Sequence, residues 1–301
     1  MYVIIVVIVQ CCREQLLIVS ILQKGIGQMN TNRNKTVYTY IRLFFFGFLI
    51  INMISFVMIP SANAKKKKSE WVTTKGGNIY YYNKKGEKCT KKTARIKDRF
   101  YSFDKEGKQH VGWIKYKDHY SFYRIKPGKK GYMVTDKTIN GIKINKKGWA
   151  VNNLDKAALL AKANTIVSTI TNFNMSQAQK NRACFVYVKN NIKWLDLSDF
   201  RKEMKDWDRF YANYALFKGQ GDCHTDGCGF AYMATAAGAK NVYAVSSGGH
   251  GWVEINGSFY DPNWSQHDNN VDKFYNVPKK LSGKDGRPSW ASCRVYIKRI
   301  D

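Results

Sequence analysis

Residues 219–264 read GQGDCHTDGCGFAYMATAAGAKNVYAVSSGGHGWVEINGSFYDPNW, and the rest of the chain is best read outward from them. Gly219-Gln220-Gly221-Asp222 is a turn-rich approach to Cys223. Beyond it Phe230, Met233, Ala234 and Ala237 recur at helical spacing, and Gly238 supplies a stop. The pattern predicts a helix that begins at or near Cys223, although Gly227 and Gly229 weaken its first turn. Asn241–Ser247 is rich in β-formers, Gly248-Gly249 breaks it, and His250–Ile255 is a second such run. Asn256-Gly257 then predicts a two-residue type I′ hairpin turn, with Ser258–Asp261 as the return strand. That turn pairs Ile255 with Ser258 and Trp252 with Asp261. His250 and Trp252 share a face, so Asp261 lies diagonal to His250, roughly 7–8 Å away at Cα. A one-residue slip would put them on opposite faces.

A thiol, an imidazole and a carboxylate in this arrangement are the parts of nucleophilic acyl chemistry. A helix N-terminus favours an anion, which gives Cys223 a reason to ionise. Cys223 would attack a carbonyl and form a thioester, His250 would move the proton, and Asp261 would orient His250. The Cys223 backbone N–H is a candidate oxyanion donor, with Gln220, Tyr214 and Trp252 as further residues around the thiol. A zinc site on Cys223, His224, Cys228 and His250 is the competing reading. Its Cys-His-x3-Cys spacing fits no common zinc pattern, so no metal and no cofactor is expected.

This segment resembles the transglutaminase-like (papain-related) cysteine-enzyme superfamily. The residues that carry the likeness are Gly221-Asp222-Cys223, His250-Gly251-Trp252 and Asp261-Pro262-Asn263-Trp264, together with the stretch Ala178–Trp194. Gly251 stands where the family usually has Ala. Over residues 153–270 the resemblance implies an α+β fold in which a helix-borne cysteine packs on an antiparallel sheet. It also implies Cys223 as nucleophile, His250 as base and Asp261 as its orienter. It leaves open whether the acyl group passes to water or to an amine, because the superfamily includes peptidases, deamidases and cross-linking enzymes.

Upstream, residues 77–151 show self-similarity at about 20–21 residues. Ile79–Gly86, Arg99–Gly107, His119–Arg124 and Gly141–Gly148 each join aromatic or β-branched residues to a polar turn, and Asn83-Lys-Lys-Gly86 recurs as Asn145-Lys-Lys-Gly148. His110–Ile114 is the expected return strand of one unit, and an insertion around Pro127 distorts the third. Such hairpins cannot bury an aromatic face alone, so the units must stack as a solenoid. They are similar to the aromatic hairpin repeats of bacterial cell-wall-binding, glucan-binding and choline-binding proteins.

The chain of 301 residues carries 50 Lys+Arg against 22 Asp+Glu, net +28. Residues 65–152 hold 25 against 7 (net +18), whereas residues 153–301 hold 20 against 14 (net +6). The basic excess therefore sits with the repeats and the basic linker, 65–76, that precedes them. A field of this sign attracts polyanions. Residues 29–64 explain which: a basic start at Arg33 and Lys35, the apolar run Leu43–Ile59 and the small residues Ser61-Ala-Asn-Ala64 form a secretory signal peptide. The cleavage site favours removal over retention as an anchor, so no membrane span is expected in the mature chain. Residues 1–28 do not fit a signal, and Met29 is the expected start. Export makes an anionic cell-wall polymer the expected partner of the repeats and argues against nucleic acid. Cys89, Cys184, Cys223, Cys228 and Cys293 could form two disulfides beside a free catalytic thiol, or could all stay reduced.

The expectation is a secreted, surface-associated protein: β-hairpin repeats (77–151), then a catalytic domain (152–301) acting on peptide or glutaminyl carbonyls of a peptide or protein substrate. Its alternative is a non-catalytic wall-binding module with a scaffold cysteine domain.

Overall fold

The computed structural model of the protein describes residues 69–91, 93–124 and 130–301. The expected signal peptide (29–64), the expected upstream extension (1–28) and the residues around Pro127 lie outside the described residues. Residues 66–301 form one compact unit.

The first part is a run of short antiparallel hairpins. Strand β1 (Glu70–Thr73) pairs with β2 (Ile79–Tyr82). Strands β3 (Ala94–Ile96), β4 (Arg99–Phe103) and β5 (Gln109–His110) form a three-stranded sheet. Then β6 (Gly112–Tyr116) pairs with β7 (His119–Tyr123), and β8 (Lys137–Ile139) with β9 (Ile142–Ile144). One turn chemistry recurs through them. The Asn83, Asp104 and Asn145 carbonyls accept from the Gly86, Gly107 and Gly148 N–H groups at 2.9, 3.0 and 2.9 Å. Their side chains accept from Glu87, Lys108 and Trp149 N–H at 3.0, 2.7 and 3.0 Å. Each of the three glycines has φ between +77 and +84, a region in which L side chains are strained. The recurring Asx-x-x-Gly tetrads are thus the punctuation of the hairpins.

Two expectations need correction here. The segment 65–76 is not all linker, because β1 begins at Glu70 and completes the first hairpin. His110–Ile114 is not one return strand. It splits at Val111: β5 closes one sheet and β6 opens the next hairpin. The cause is tertiary. Asn164 pushes its amide into the split, donating to the carbonyls of Val111 (2.6 Å) and Trp113 (3.1 Å). Gly112, at φ +88, leaves room for it, since a Cβ there would stand 2.5 Å from Asn164 Oδ1.

Asn164 belongs to α1 (Leu154–Ile170), which is followed by α2 (Gln177–Asn191). The capping box expected at Ser176–Gln179 is present in both directions, which sets the start of α2. Strand β10 (Lys193–Trp194) runs parallel to β11 (Gln220–Gly221), and between them lie α3 (Trp207–Asn213) and a π-helical turn, 214–218. Helix α4 (Cys223–Ala236) is buried along its whole length, including His224, Thr225 and Asp226 of its first turn. It packs on α1, α2 and α3 and against a five-stranded antiparallel sheet. That sheet is built from β12 (Val242–Ser246), β13 (Gly251–Ile255), β14 (Ser258–Tyr260), β15 (Val277–Pro278) and β16 (Tyr296–Arg299), in the order β15-β14-β13-β12-β16. Two short helices, α5 (Pro262–His267) and α6 (Val271–Phe274), bridge β14 and β15.

The main core joins Phe185, Phe230, Tyr232, Val253 and Trp290 with Trp113, Val134, Ile142 and Ile144 of the later hairpins. A smaller cluster of Ile96, Tyr101 and Phe103 lies under Trp71 and Tyr81. Burying each of the large side chains is worth about 1.5–3 kcal/mol. Among the described residues no helix is long and apolar enough to cross a membrane, and the five cysteines from Cys89 to Cys293 are all free thiols.

Candidate active site

Cys223 is the first residue of α4, and its sulfur is almost fully covered, the residue being 8% exposed. The preceding Asp222 caps the helix: its side chain accepts from Thr225 N–H at 3.1 Å. On the sheet side, the hairpin forms in the expected register, with Ile255 opposite Ser258 and Val253 opposite Tyr260. Asn256 and Gly257 have φ of +51 and +82, as a type I′ turn requires. The pairing stops one residue short of Trp252–Asp261. Asp261 N–H turns away to the Phe274 carbonyl at 3.0 Å, and the residue becomes the cap of α5.

That detour fixes the carboxylate. Asp261 is fully buried. Its Oδ1 accepts from Trp264 N–H at 3.0 Å. Its Oδ2 accepts from His250 Nε2–H at 2.7 Å and from Trp290 Nε1–H at 2.8 Å. With Nε2 committed to Asp261, Nδ1 is the His250 nitrogen that serves Cys223. Burial opposes a charge on His250, but Asp261 and the Cys223 sulfur outweigh it and raise its pKa to about 10. Burial likewise opposes the thiolate, yet His224 and His250 bring the Cys223 pKa down to about 6. At neutral pH the pair therefore rests as thiolate and imidazolium.

A second carboxyl lies one turn down α4. Asp226 is 3% exposed; its Oδ2 accepts from Asn263 Nδ2–H at 3.0 Å, and its Oδ1 has no partner among the described residues. Burial first, and then the charges of Cys223, Asp261 and Asp222, raise its pKa well above the usual carboxylate value.

The remaining expected residues divide. Trp252 is buried beside His250, its ring near-parallel at 18° and 6.3 Å between centroids, while its Nε1 finds no partner among the described residues. Gln220 lies in β11, two residues before Asp222-Cys223 ends the approach, and pairs through its backbone with Lys193. Tyr214 packs on Phe210 and holds Lys218 Nζ 3.8 Å above its ring, so its contacts are with those side chains rather than with the thiol. The zinc quartet is not assembled. Cys228 faces the core at 2% exposure, and burial raises its pKa well above the ordinary thiol value. The ligand-type atoms that do converge are those of Asp222, Cys223 and His224, and Asp222 is already occupied as a helix cap.

Two residues of the site were not visible in the sequence pattern. Trp290 sits in the tail beyond residue 271, where no motif marks it, 29 positions from the carboxylate it holds. His224 stood out only as a zinc candidate.

No protein-family model matches the chain, and no curated protein matches it. Among solved structures, 30% of the chain is similar to the whole of the choline-binding domain of Spr1274 from Streptococcus pneumoniae, at 20% identity and a TM-score of 0.25. A 28% share is similar to 27% of CbpJ from the same organism, at 20% identity and a TM-score of 0.24. A 29% share is similar to 25% of a multimodular pneumococcal cell wall endolysin from phage Cp-1, complexed with choline, at 24% identity and a TM-score of 0.22. The chain thus spans the first of these completely and about a quarter of the length of the other two. Likenesses this slight carry no argument about this chain.

Proposed function

We propose that this protein is a surface-associated thiol enzyme that acts on peptide or glutaminyl carbonyls through a Cys223 thioester. The observation that supports it is the 2.7 Å bond from His250 to a fully buried Asp261, opposite a cysteine at a helix start. The Cys223 thiolate attacks the carbonyl carbon, and the oxyanion is met by backbone N–H groups at the start of α4, with Gln220 as a side-chain candidate. His250 gives its proton to the leaving amine as the C–N bond breaks. It then takes a proton from water or an acceptor amine, which attacks the thioester and releases Cys223. On this reading the nucleophile, acid–base residue and orienter follow the transglutaminase-like resemblance.

The test is a product screen on the mature protein, scoring peptide cleavage, ammonia release and amine incorporation, beside iodoacetamide labelling of all its thiols. Cys223 is expected to label far faster than Cys89, Cys184, Cys228 or Cys293. Equal labelling, with unchanged activity in Cys223→Ala, would sink the enzyme reading.

A second reading assigns the chain a binding task, with the cysteine half as scaffold. The net +18 of residues 65–152, carried on aromatic hairpins, favours it. In both readings the hairpins hold an anionic wall polymer. Sedimentation with purified walls, reversed by salt, tests that part alone.

A further inference from the structure

His224 is buried at 5% exposure immediately after the nucleophile. Its Nδ1 stands 3.6 Å from Cys223 Sγ, and its Nε2 stands 2.9 Å from Ser246 Oγ on β12. Ser246 Oγ accepts from the Gly248 N–H at 2.8 Å, so its own O–H proton is free to donate to Nε2. That chain leaves the ring proton of His224 on Nδ1, aimed at the sulfur. The ring is held on both faces: Phe200 stacks on it at 4.5 Å and 22°, and Tyr211 lies at 5.1 Å. Behind it runs β13, the strand that begins just after His250. A Cβ on Gly251 would stand 2.7 Å from His224 Cα and 2.9 Å from its Cδ2. Only glycine at 251 lets the strand and this histidine lie together.

We propose that His224 is a positioning residue of the thiol site: its Nδ1–H donates a second, fixed hydrogen bond to the Cys223 thiolate. The role rests on Cys223 being the nucleophile. It matters most when the thioester is resolved. Water adds to the acyl carbon and its proton passes to His250. The C–S bond then breaks, the electron pair returns to sulfur, and His224 receives the departing thiolate with a hydrogen bond already in place. Other titratable groups face this pair. Asp222 Oδ2 lies 3.8 Å from His224 Nδ1 and Tyr211 packs on the ring. Asp226 and His250 interact with Cys223 from α4 and the mouth of β13. Burial opposes a charge on His224, and Asp222 and Cys223 outweigh it and raise its pKa above the ordinary value.

The experiment is the pH dependence of Cys223 alkylation by iodoacetamide in the full chain, read by mass spectrometry, with thiolate absorbance as a second signal. For the parent protein the midpoint is expected near 6. His224→Phe, which keeps the ring packing and loses the donor, should raise the midpoint by about one unit or more, a tenfold slower labelling below it. His224→Gln, which offers an amide N–H, should recover part of that shift, a rescue that a purely structural role would not give. Should His224→Phe not fold, Ser246→Ala removes the hydroxyl that fixes the ring proton and should also raise the midpoint. An unchanged midpoint in whichever of these two variants folds overturns the proposal while leaving the enzyme reading intact. A parent midpoint at the ordinary thiol value defeats that reading instead.

Discussion

The hairpins of residues 70–150 and the helix–sheet half that follows are built on opposite scales. Each hairpin turn closes within four residues, Asn83 to Glu87 or Asn145 to Trp149. The candidate site closes over much longer loops: His224 to Ser246, His250 to Asp261, Asp261 to Trp290. A turn whose donors and acceptors are sequence neighbours is specified by residue type alone. A site made by distant partners depends on helix α4 seating correctly on β12 and β13. The two scales meet at Asn164, where a side chain from α1 satisfies backbone carbonyls on either side of Gly112.

The comparison can be broken most severely at the nucleophile. Cys223→Ala should lower kcat by about 10⁴-fold or more, and adding His250→Ala should cost little further, because the two act as a unit. On the proposed mechanism the pH profile of the parent protein's activity should be bell-shaped. Activity is expected to fall below about pH 6, where Cys223 takes up a proton, and above about pH 10, where His250 loses the proton it delivers to the leaving group. A single limb rising through the ordinary cysteine range would contradict the ion pair. Asn164→Leu strands the Val111 and Trp113 carbonyls and should lower unfolding stability by about 2–3 kcal/mol, measured by urea titration. Trp290→Phe removes one donor from a carboxylate that keeps its other two. It should reduce kcat about tenfold with KM little changed. The smallest effect belongs to the local scale. Gly148→Ala, at φ +84, should cost about 1–2 kcal/mol of stability and leave kcat alone. If it instead abolished activity, the hairpins would be coupled to the thiol more tightly than the turn geometry implies.

The helix start at Cys223, the Asn256-Gly257 turn and the shared side of His250 and Asp261 were legible because each follows from a short-range rule: a cap, a turn type, a two-residue period. The same rules overreached at two places. The predicted Trp252–Asp261 pair does not form, because Asp261 gives its N–H to Phe274 and its side chain to α5. The predicted strand through Val111 is split by Asn164. In both cases a distant polar partner outweighed local strand propensity, since a buried N–H or C=O must be satisfied wherever a partner stands. Gly227 and Gly229 read as weak points of a helix. Gly227 is where α4 lies against the Trp252 backbone, and its missing side chain is what permits the approach.

The sequence by itself determined the punctuation of the hairpins, the surplus of positive charge upon them, and the presence of a thiol, an imidazole and a carboxylate on elements able to meet. Only the tertiary structure decided how the site is charged and what holds it. Trp290 reaches Asp261, His224 reaches the sulfur beside Gly251, and burial raises the pKa of Asp226 well above the usual carboxylate value. Those outcomes depend on distance and dielectric between residues far apart in the chain, and no local pattern of residue types encodes either.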